Sequence, residues 1–128
     1  MGLLLAVASP AYERVLPGLE LKAGARDLAN ALRAGRARAI EEAREVAIVF
    51  DVTAGVYRID RDQAGRALPS GARVSLTTAQ SEILDEGVGR IRFFPDGAST
   101  GGQITLERDG ATYHVQVEWL GGHVSIDR

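Results

Sequence analysis

Apolar residues recur along the first third of the chain at a helical spacing. Leu21, Ala25, Leu28, Leu32, Ala39 and Ala43 fall on one stripe when wound at about 3.6 residues per turn. Asp27, Arg38, Glu41, Glu42 and Glu45 fall away from it and are expected in solvent. Gly35 lies beside the stripe, where a missing side chain lets another backbone approach. The spacing predicts a helix over residues 2–45. Pro10 and Pro17 interrupt it. Each removes an intrahelical donor and crowds the preceding turn, so a kink or an end is expected, with Pro17-Gly18 the stronger break.

After residue 45 the apolar period changes to two, the mark of half-buried strands. Strands are predicted at residues 46–51, 56–60, 74–78, 88–94, 103–108, 112–119 and 123–127. Residues 79–87 read either as a loop or as a weak strand around Ile83-Leu84. Ala54-Gly55, Leu68-Pro69-Ser70-Gly71 and Gly121-Gly122 are turns, and Asp109-Gly110 between two alternating runs is a strong two-residue hairpin signal. Links this short favour antiparallel pairing. A helix with one apolar stripe must bury it against a sheet face. The expected fold class is therefore α+β: a long N-terminal helix packed on antiparallel β-sheet of about seven strands. Residues 1–45 form the helix and residues 46–128 a globular β domain, one structural unit with it. Leu28 and Leu32 are expected to pack on an inner face formed by Val115, Val117 and Trp119.

The extreme N-terminus departs from this pattern. Residues 2–8, GLLLAVA, are wholly apolar. A bilayer-spanning helix needs roughly 20 such residues, and no basic segment precedes the run as in a signal peptide. A free apolar end is a liability on a soluble domain. The run, with Leu3, Leu4, Leu5 and Val7, reads either as a buried helix start or as the tail of a longer membrane helix, and the second is preferred.

Composition narrows the function classes. A chain of 128 residues fits one domain, and 45% apolar with 25% charged residues is ordinary for a globular protein. The net charge of −2 gives no bulk attraction for nucleic acid. The absence of cysteine excludes disulfides, zinc–thiolate sites and cysteine nucleophiles, and leaves the compartment open.

Each candidate site has a plainer structural reading. The loop Asp96-Gly97-Ala98-Ser99-Thr100-Gly101-Gly102 has the glycines of a phosphate cradle, but it joins two strands and no lysine follows. A hairpin loop using positive φ explains it better. His114 shares the polar face of its strand with Gln116 and Glu118, and His123 follows a glycine turn. The two histidines with Glu118 have the chemistry of metal ligands; two solvated histidines are the simpler reading. Ser99, His114 and Asp96 are the residue types of a hydrolytic triad without a spacing that argues for one. Asp51, Asp60, Asp62, Asp85, Glu86 and Asp96 are scattered near turns and lack the dense alternation of a calcium loop. Lys22, Arg26, Arg33, Arg36 and Arg44 flank the helix stripe, expected to be solvated and ion-paired, with no interleaved aromatics for base stacking. No catalytic residue, cofactor or metal ligand is assigned.

Several segments carry a resemblance. Residues 93–102, FFPDGASTGG, fit the pattern Phe-x-Pro-Asp-Gly-x-Ser-Thr-Gly-Gly, with Ala98 where serine is common. Leu68-Pro69-Ser70-Gly71 fits a Leu-Pro-x-Gly turn, and Ala37-Arg38-Ala39-Ile40-Glu41 a helix end with an Ala-Arg pair before Ala-Ile. Trp119-Leu120-Gly121-Gly122-His123-Val124 is similar to a closing Leu-Thr-Gly-Arg-Val element, with Gly121 for threonine and His123 for arginine. GLLLAVASPAY is similar to the end of a pilin-type helix. Together these resemble the GspH/FimT family, minor pseudopilins of type II secretion and minor pilins of type IV pili. The resemblance implies a filament subunit and not an enzyme. Pro95, Asp96, Gly97, Ser99, Thr100, Gly101 and Gly102 would form the signature loop, Gly121, Gly122 and His123 the C-terminal turn, Leu3, Leu4, Leu5, Val7 and Pro10 the assembly helix, and Leu21, Leu28 and Leu32 the core stripe. The implied partners are other pseudopilins, major and minor, and the inner membrane through a preceding segment, with the globular domain in the periplasm. The subunit would act at or near the pseudopilus tip in export across the outer membrane. The alternative is a FimT-like minor pilin for pilus assembly or DNA uptake. Some members are thought to bind DNA through basic residues at the closing element, and His123 in place of arginine weakens that reading, since phosphate binding needs several fixed charges. No nucleic-acid partner is expected.

Overall fold

The computed structural model describes residues 10–128, with side chains from Leu19 onward. Helix α1 (Pro10–Glu42) is followed by nine strands: β1 (Val46–Asp51), β2 (Val56–Ile59), β3 (Arg66–Ala67), β4 (Arg73–Thr78), β5 (Ile83–Asp85), β6 (Val88–Phe93), β7 (Gly102–Arg108), β8 (Ala111–Val117) and β9 (Val124–Asp127). One 3₁₀ turn, Gln80–Glu82, precedes β5. Leu3, Leu4, Leu5 and Val7 and the Pro10 side chain lie outside the described residues.

The helix runs on through Pro17-Gly18, so of the kink or end expected there the end is not realised. A proline removes one donor and crowds one carbonyl, a local loss within a 33-residue helix. Once a helix is nucleated, each further residue adds a bond. The helix stops just short of the predicted end. Ala43 takes a positive φ of 52°, and the Arg44 N–H donates to the Ala39 carbonyl at 3.2 Å, a Schellman closure. Ala43 is thereby turned into solvent, whereas Leu21, Ala25, Leu28, Leu32 and Ala39 are completely buried.

The strands make two antiparallel sheets, ordered β3-β2-β1-β6-β5 and β4-β7-β8-β9. Val46, Ile48, Phe50, Ile91 and Phe93 from the first and Ile104, Leu106, Val115 and Val117 from the second join the helix stripe in one core. The sheets abut where the Thr78 hydroxyl of β4 donates to the Arg90 carbonyl of β6 at 2.7 Å. Gly35 also faces the core, but it admits a side chain and not a backbone: a Cβ there would stand 2.6 Å from Ile48 Cδ1.

The nine strands are the seven foreseen, the weak strand around Ile83-Leu84, realised as β5, and β3, which was not foreseen; β3 and β5 are exposed at every residue and carry no alternating pattern. Backbone pairing alone defines them. The strand predicted through residue 119 ends at Val117. The Glu118 N–H donates to the His123 carbonyl at 2.9 Å and closes a turn there. Alternation stops at that point, and Trp119, expected on the inner face, is 68% exposed.

Leu28→Ala and Leu32→Ala should each lower the free energy of unfolding by about 2–5 kcal/mol, because both side chains are wholly enclosed. Urea titration of the purified chain checks this. Losses under about 1 kcal/mol would mean that the stripe is not the core.

Candidate functional site

Phe93 closes β6 in the first sheet and Gly102 opens β7 in the second, so the signature loop carries the chain between sheets. The expected hairpin loop between paired strands is corrected in that respect, although the segment does fold back before crossing. Phe94 N–H donates to the Ala98 carbonyl (2.9 Å) and Thr100 N–H to the Arg92 carbonyl (3.0 Å). The Thr100 hydroxyl accepts from the Arg92 N–H at 3.1 Å. Asp96 Oδ1 accepts from the Ala98 N–H at 3.0 Å, and the buried Ser99 Oγ accepts from the Gly101 N–H at 2.9 Å. Pro95 stays exposed at the tip. Gly101, at φ 74°, then turns the chain into the second sheet.

The C-terminal turn meets this loop. Gly122 N–H donates to the Glu118 carbonyl at 2.9 Å, and Gly122 holds φ 71°. Its α-carbon lies so close to the Gly97 carbonyl oxygen that a Cβ would collide with it. Gly101 abuts the Trp119 backbone, where a Cβ would stand 3.2 Å from its nitrogen. The helix supplies the third part: Arg36 Nε donates to the same Gly97 carbonyl at 3.0 Å. One helical turn earlier, an Arg33 guanidinium nitrogen donates to the Val124 carbonyl of β9 at 2.9 Å.

The basic flank is thus not a uniformly solvated one. Arg33 and Arg36 are docked on carbonyls, and Arg38 and Arg44 pair with Glu42, Asp62 and Asp60. Lys22 and Arg26 are exposed. The Arg44 hydrogen bond holds the Asp60 carboxyl below its ordinary range. Sequence spacing hinted at Arg36, which continues the i,i+4 line of Leu28 and Leu32.

A second polar cluster was not foreseen. Glu82, 4% exposed, accepts from Arg90 Nε at 2.6 Å and from Arg92 Nε at 2.9 Å, and Arg92 also reaches Glu45 at 3.1 Å. Burial pushes the Glu82 carboxyl up, but the hydrogen bonds from Arg90 and Arg92 outweigh it and leave it below the ordinary carboxylate range. The available signal was the pair Arg90 and Arg92 on one face of β6, opposite Ile91 and Phe93, which calls for an acidic partner.

The triad residue types are not brought together. Ser99 and Asp96 are engaged within their own loop, while His114 Nδ1 lies 3.0 Å from Thr105 Oγ1 and 3.2 Å from Gln103 Nε2 on the outer face of the second sheet. His123 is exposed beyond the turn. Among the described residues no group of three or more His, Asp or Glu side chains is placed to hold a metal ion. What the arrangement does is mechanical: it clamps a helix, an inter-sheet loop and a terminal turn at one point.

Comparison with known proteins gives a consistent picture. Residues 24–121 match the GspH family, described as type II transport protein GspH. The type II secretion system protein H of Xanthomonas campestris pv. campestris is 30% identical over 118 residues, spanning 92% of this chain and 69% of that protein. The minor pseudopilin EpsH from the type 2 secretion system of Vibrio cholerae superposes with a TM-score of 0.65 at 14% identity, over 84% of this chain and 95% of that one. The type IV minor pilin FimU of Pseudomonas aeruginosa superposes at 0.62 with 12% identity, over 85% and 89%. At such identities the two superpositions establish the fold.

Two outcomes test the clamp and the buried carboxylate. Gly122→Ala should cost more than Gly110→Ala. Gly110 also has positive φ, 81°, but nothing lies within 4 Å of its missing Cβ, so it pays about 1–2 kcal/mol of backbone strain alone; Gly122→Ala adds the collision with Gly97. Equal losses in thermal melts would show that the close approach is not felt. Glu82→Gln should lower stability at pH 7 by about 1–3 kcal/mol. The lowered carboxyl stabilises the fold fully above its unfolded value of ~4.3, and that contribution is lost as pH falls through the folded value. The gap between the two proteins should therefore close on acidification below about pH 4. A gap constant from pH 7 to 3 would rule out the ion network as its source.

Proposed function

The chain belongs to the GspH family of type II transport proteins, and we propose that it is a minor pseudopilin, a filament subunit of the type II secretion pseudopilus. Its role is assembly with the major and minor pseudopilins at or near the filament tip, in support of protein export across the outer membrane. The family match carries this reading. It spans residues 24–121 and so includes the helix stripe from Ala25 onward, the strands β1 to β8, the signature loop and the start of the C-terminal turn at Gly121. A head locked to its helix suits a subunit that transmits force along a filament, because displacement of the helix displaces the whole core. The loop glycines and Ser99 are engaged in holding the fold, which favours a structural role over catalysis.

The membrane part of the proposal rests on the apolar residues 2–8 and on the family: a single N-terminal helix in the inner membrane with the head in the periplasm. Among the described residues no helix is long and apolar enough to cross a bilayer. A nucleic-acid partner is not part of the proposal. Arg33, Arg36, Arg38, Arg44, Arg90, Arg92 and Arg108 are engaged with protein acceptors, so half of the fourteen arginines are already committed, and the net charge of −2 supplies no bulk attraction for phosphates.

Deleting the gene in its own organism should abolish release of folded secretion substrates into the medium, and the full-length gene supplied in trans should restore it. Normal secretion combined with lost pilus-dependent motility or DNA uptake would replace the reading with that of a minor pilin. Neither phenotype would overturn both.

A further inference from the structure

A groove of about 590 Å³ separates α1 from the outer edge of the first sheet. One wall is a single helix face running from Glu20 through Ala23, Asp27 and Ala31 to Ala34. Pro69 is seated against Gly24, and Arg108 reaches across to Glu20 at 3.1 Å, so the open stretch of this face runs from Asp27 to Ala34, ~10 Å at 1.5 Å per residue, enough for about three extended residues. The other wall is β3 and the turn after it.

The β3 wall offers backbone groups. β3 pairs only with β2, in the register Tyr57↔Arg66 and Val56↔Ala67. Leu68 N–H donates to the Gly55 carbonyl at 2.9 Å, which marks that pair as hydrogen-bonded. Hydrogen-bonded pairs alternate along an antiparallel ladder. Tyr57 and Arg66 are therefore the next such pair, and Ala67 between them turns its N–H and C=O away from β2. Among the described residues neither group has a backbone partner outside the ladder. Two side chains lie beside them. Asp27 and Arg66 are exposed and belong to no ion pair among the described residues.

We propose that this groove receives an extended segment of another pseudopilin, which adds as a strand to the outer edge of β3. The inference rests on the pseudopilin reading above and names a docking site for it. A helix could not fill the role, because its own N–H and C=O groups are bonded internally. An extended segment presents both groups to Ala67 in register. Small side chains at Ala23, Ala31 and Ala34 leave room above the helix wall. Asp27 and Arg66 call for a basic and an acidic residue on the incoming strand.

The test uses this chain and the purified globular domains of the other pseudopilins encoded with it. At least one should bind, and in that complex the Ala67 amide should become protected from hydrogen exchange. Ala67→Pro removes the outward N–H and leaves the bonds to β2 untouched; it should weaken binding at least tenfold while circular dichroism and the melt remain those of the parent. If that variant does not fold, Ala34→Trp, which fills the groove from an exposed helix position, should give the same loss. Binding at parental affinity by a folded Ala67→Pro or Ala34→Trp chain, or an Ala67 amide that still exchanges in the parental complex, would place the partner elsewhere and overturn this inference alone. Protection of Ala67 by a second copy of this chain would overturn the named occupant. Failure of every pseudopilin domain to bind would overturn it together with the reading it rests on.

Discussion

The carbonyl oxygen of Gly97 is the point on which the architecture turns. It accepts from Arg36 on the helix and lies in contact with Gly122 of the C-terminal turn. A backbone carbonyl left unpaired in such a place would carry a desolvation cost, and the guanidinium removes it. The geometry works only if residue 122 has no side chain and can hold positive φ. Because the loop bearing Gly97 is also the crossover between the sheets, fixing it fixes both sheets relative to the helix. The glycines of the signature are therefore explained by close packing, without a ligand.

The opposite flank is held by charge. Glu82 is drawn under the outer face of β6 by two arginines, and Thr78 ties β4 to the same strand. Neither contact rivals the burial of Leu28, Leu32, Phe50 and Phe93 in energy. Their contribution is positional. A buried carboxylate satisfied by two guanidinium groups has few alternative arrangements, so the irregular segment between β4 and β5 has a defined path despite its weak apolar pattern.

Legibility in the sequence followed burial. Every element with a buried face was readable: the stripe from Leu21 to Ala39, and the alternation in β1, β6, β7 and β8. Elements defined by backbone pairing alone were faint or missing: Arg66–Ala67 went unread, and Ile83–Asp85 was left between a loop and a weak strand. Trp119 misled because alternation was extrapolated past Val117, where backbone bonding had already closed a turn. The helix end allowed for at Pro17 was not realised, because the loss of one donor is a local cost in a long helix. The signature loop was recognisable as a motif, and its residues do cluster with the C-terminal turn. Arg36, the residue that joins them, was placed only in a solvated flank. A side chain's long-range acceptor is a property of the assembled fold, so local spacing carried little of it.

The four sheet edges show how unevenly the chain guards itself against added strands. β4 closes against β6 through Thr78. β9 has its Val124 carbonyl capped by Arg33. β5 is three residues long, and a register irregularity between Ile83 and Asp85 breaks its ladder. β3 has none of these devices. It is short, which limits indiscriminate pairing, yet it borders an open groove with a carboxylate on one wall and a guanidinium on the other. Each of the other three carries one local obstruction, and β3 is the edge that borders this groove. In a subunit that works by joining others, obstructing an edge locally and leaving another beside a charged groove favours the neighbour whose strand and charges fit that groove.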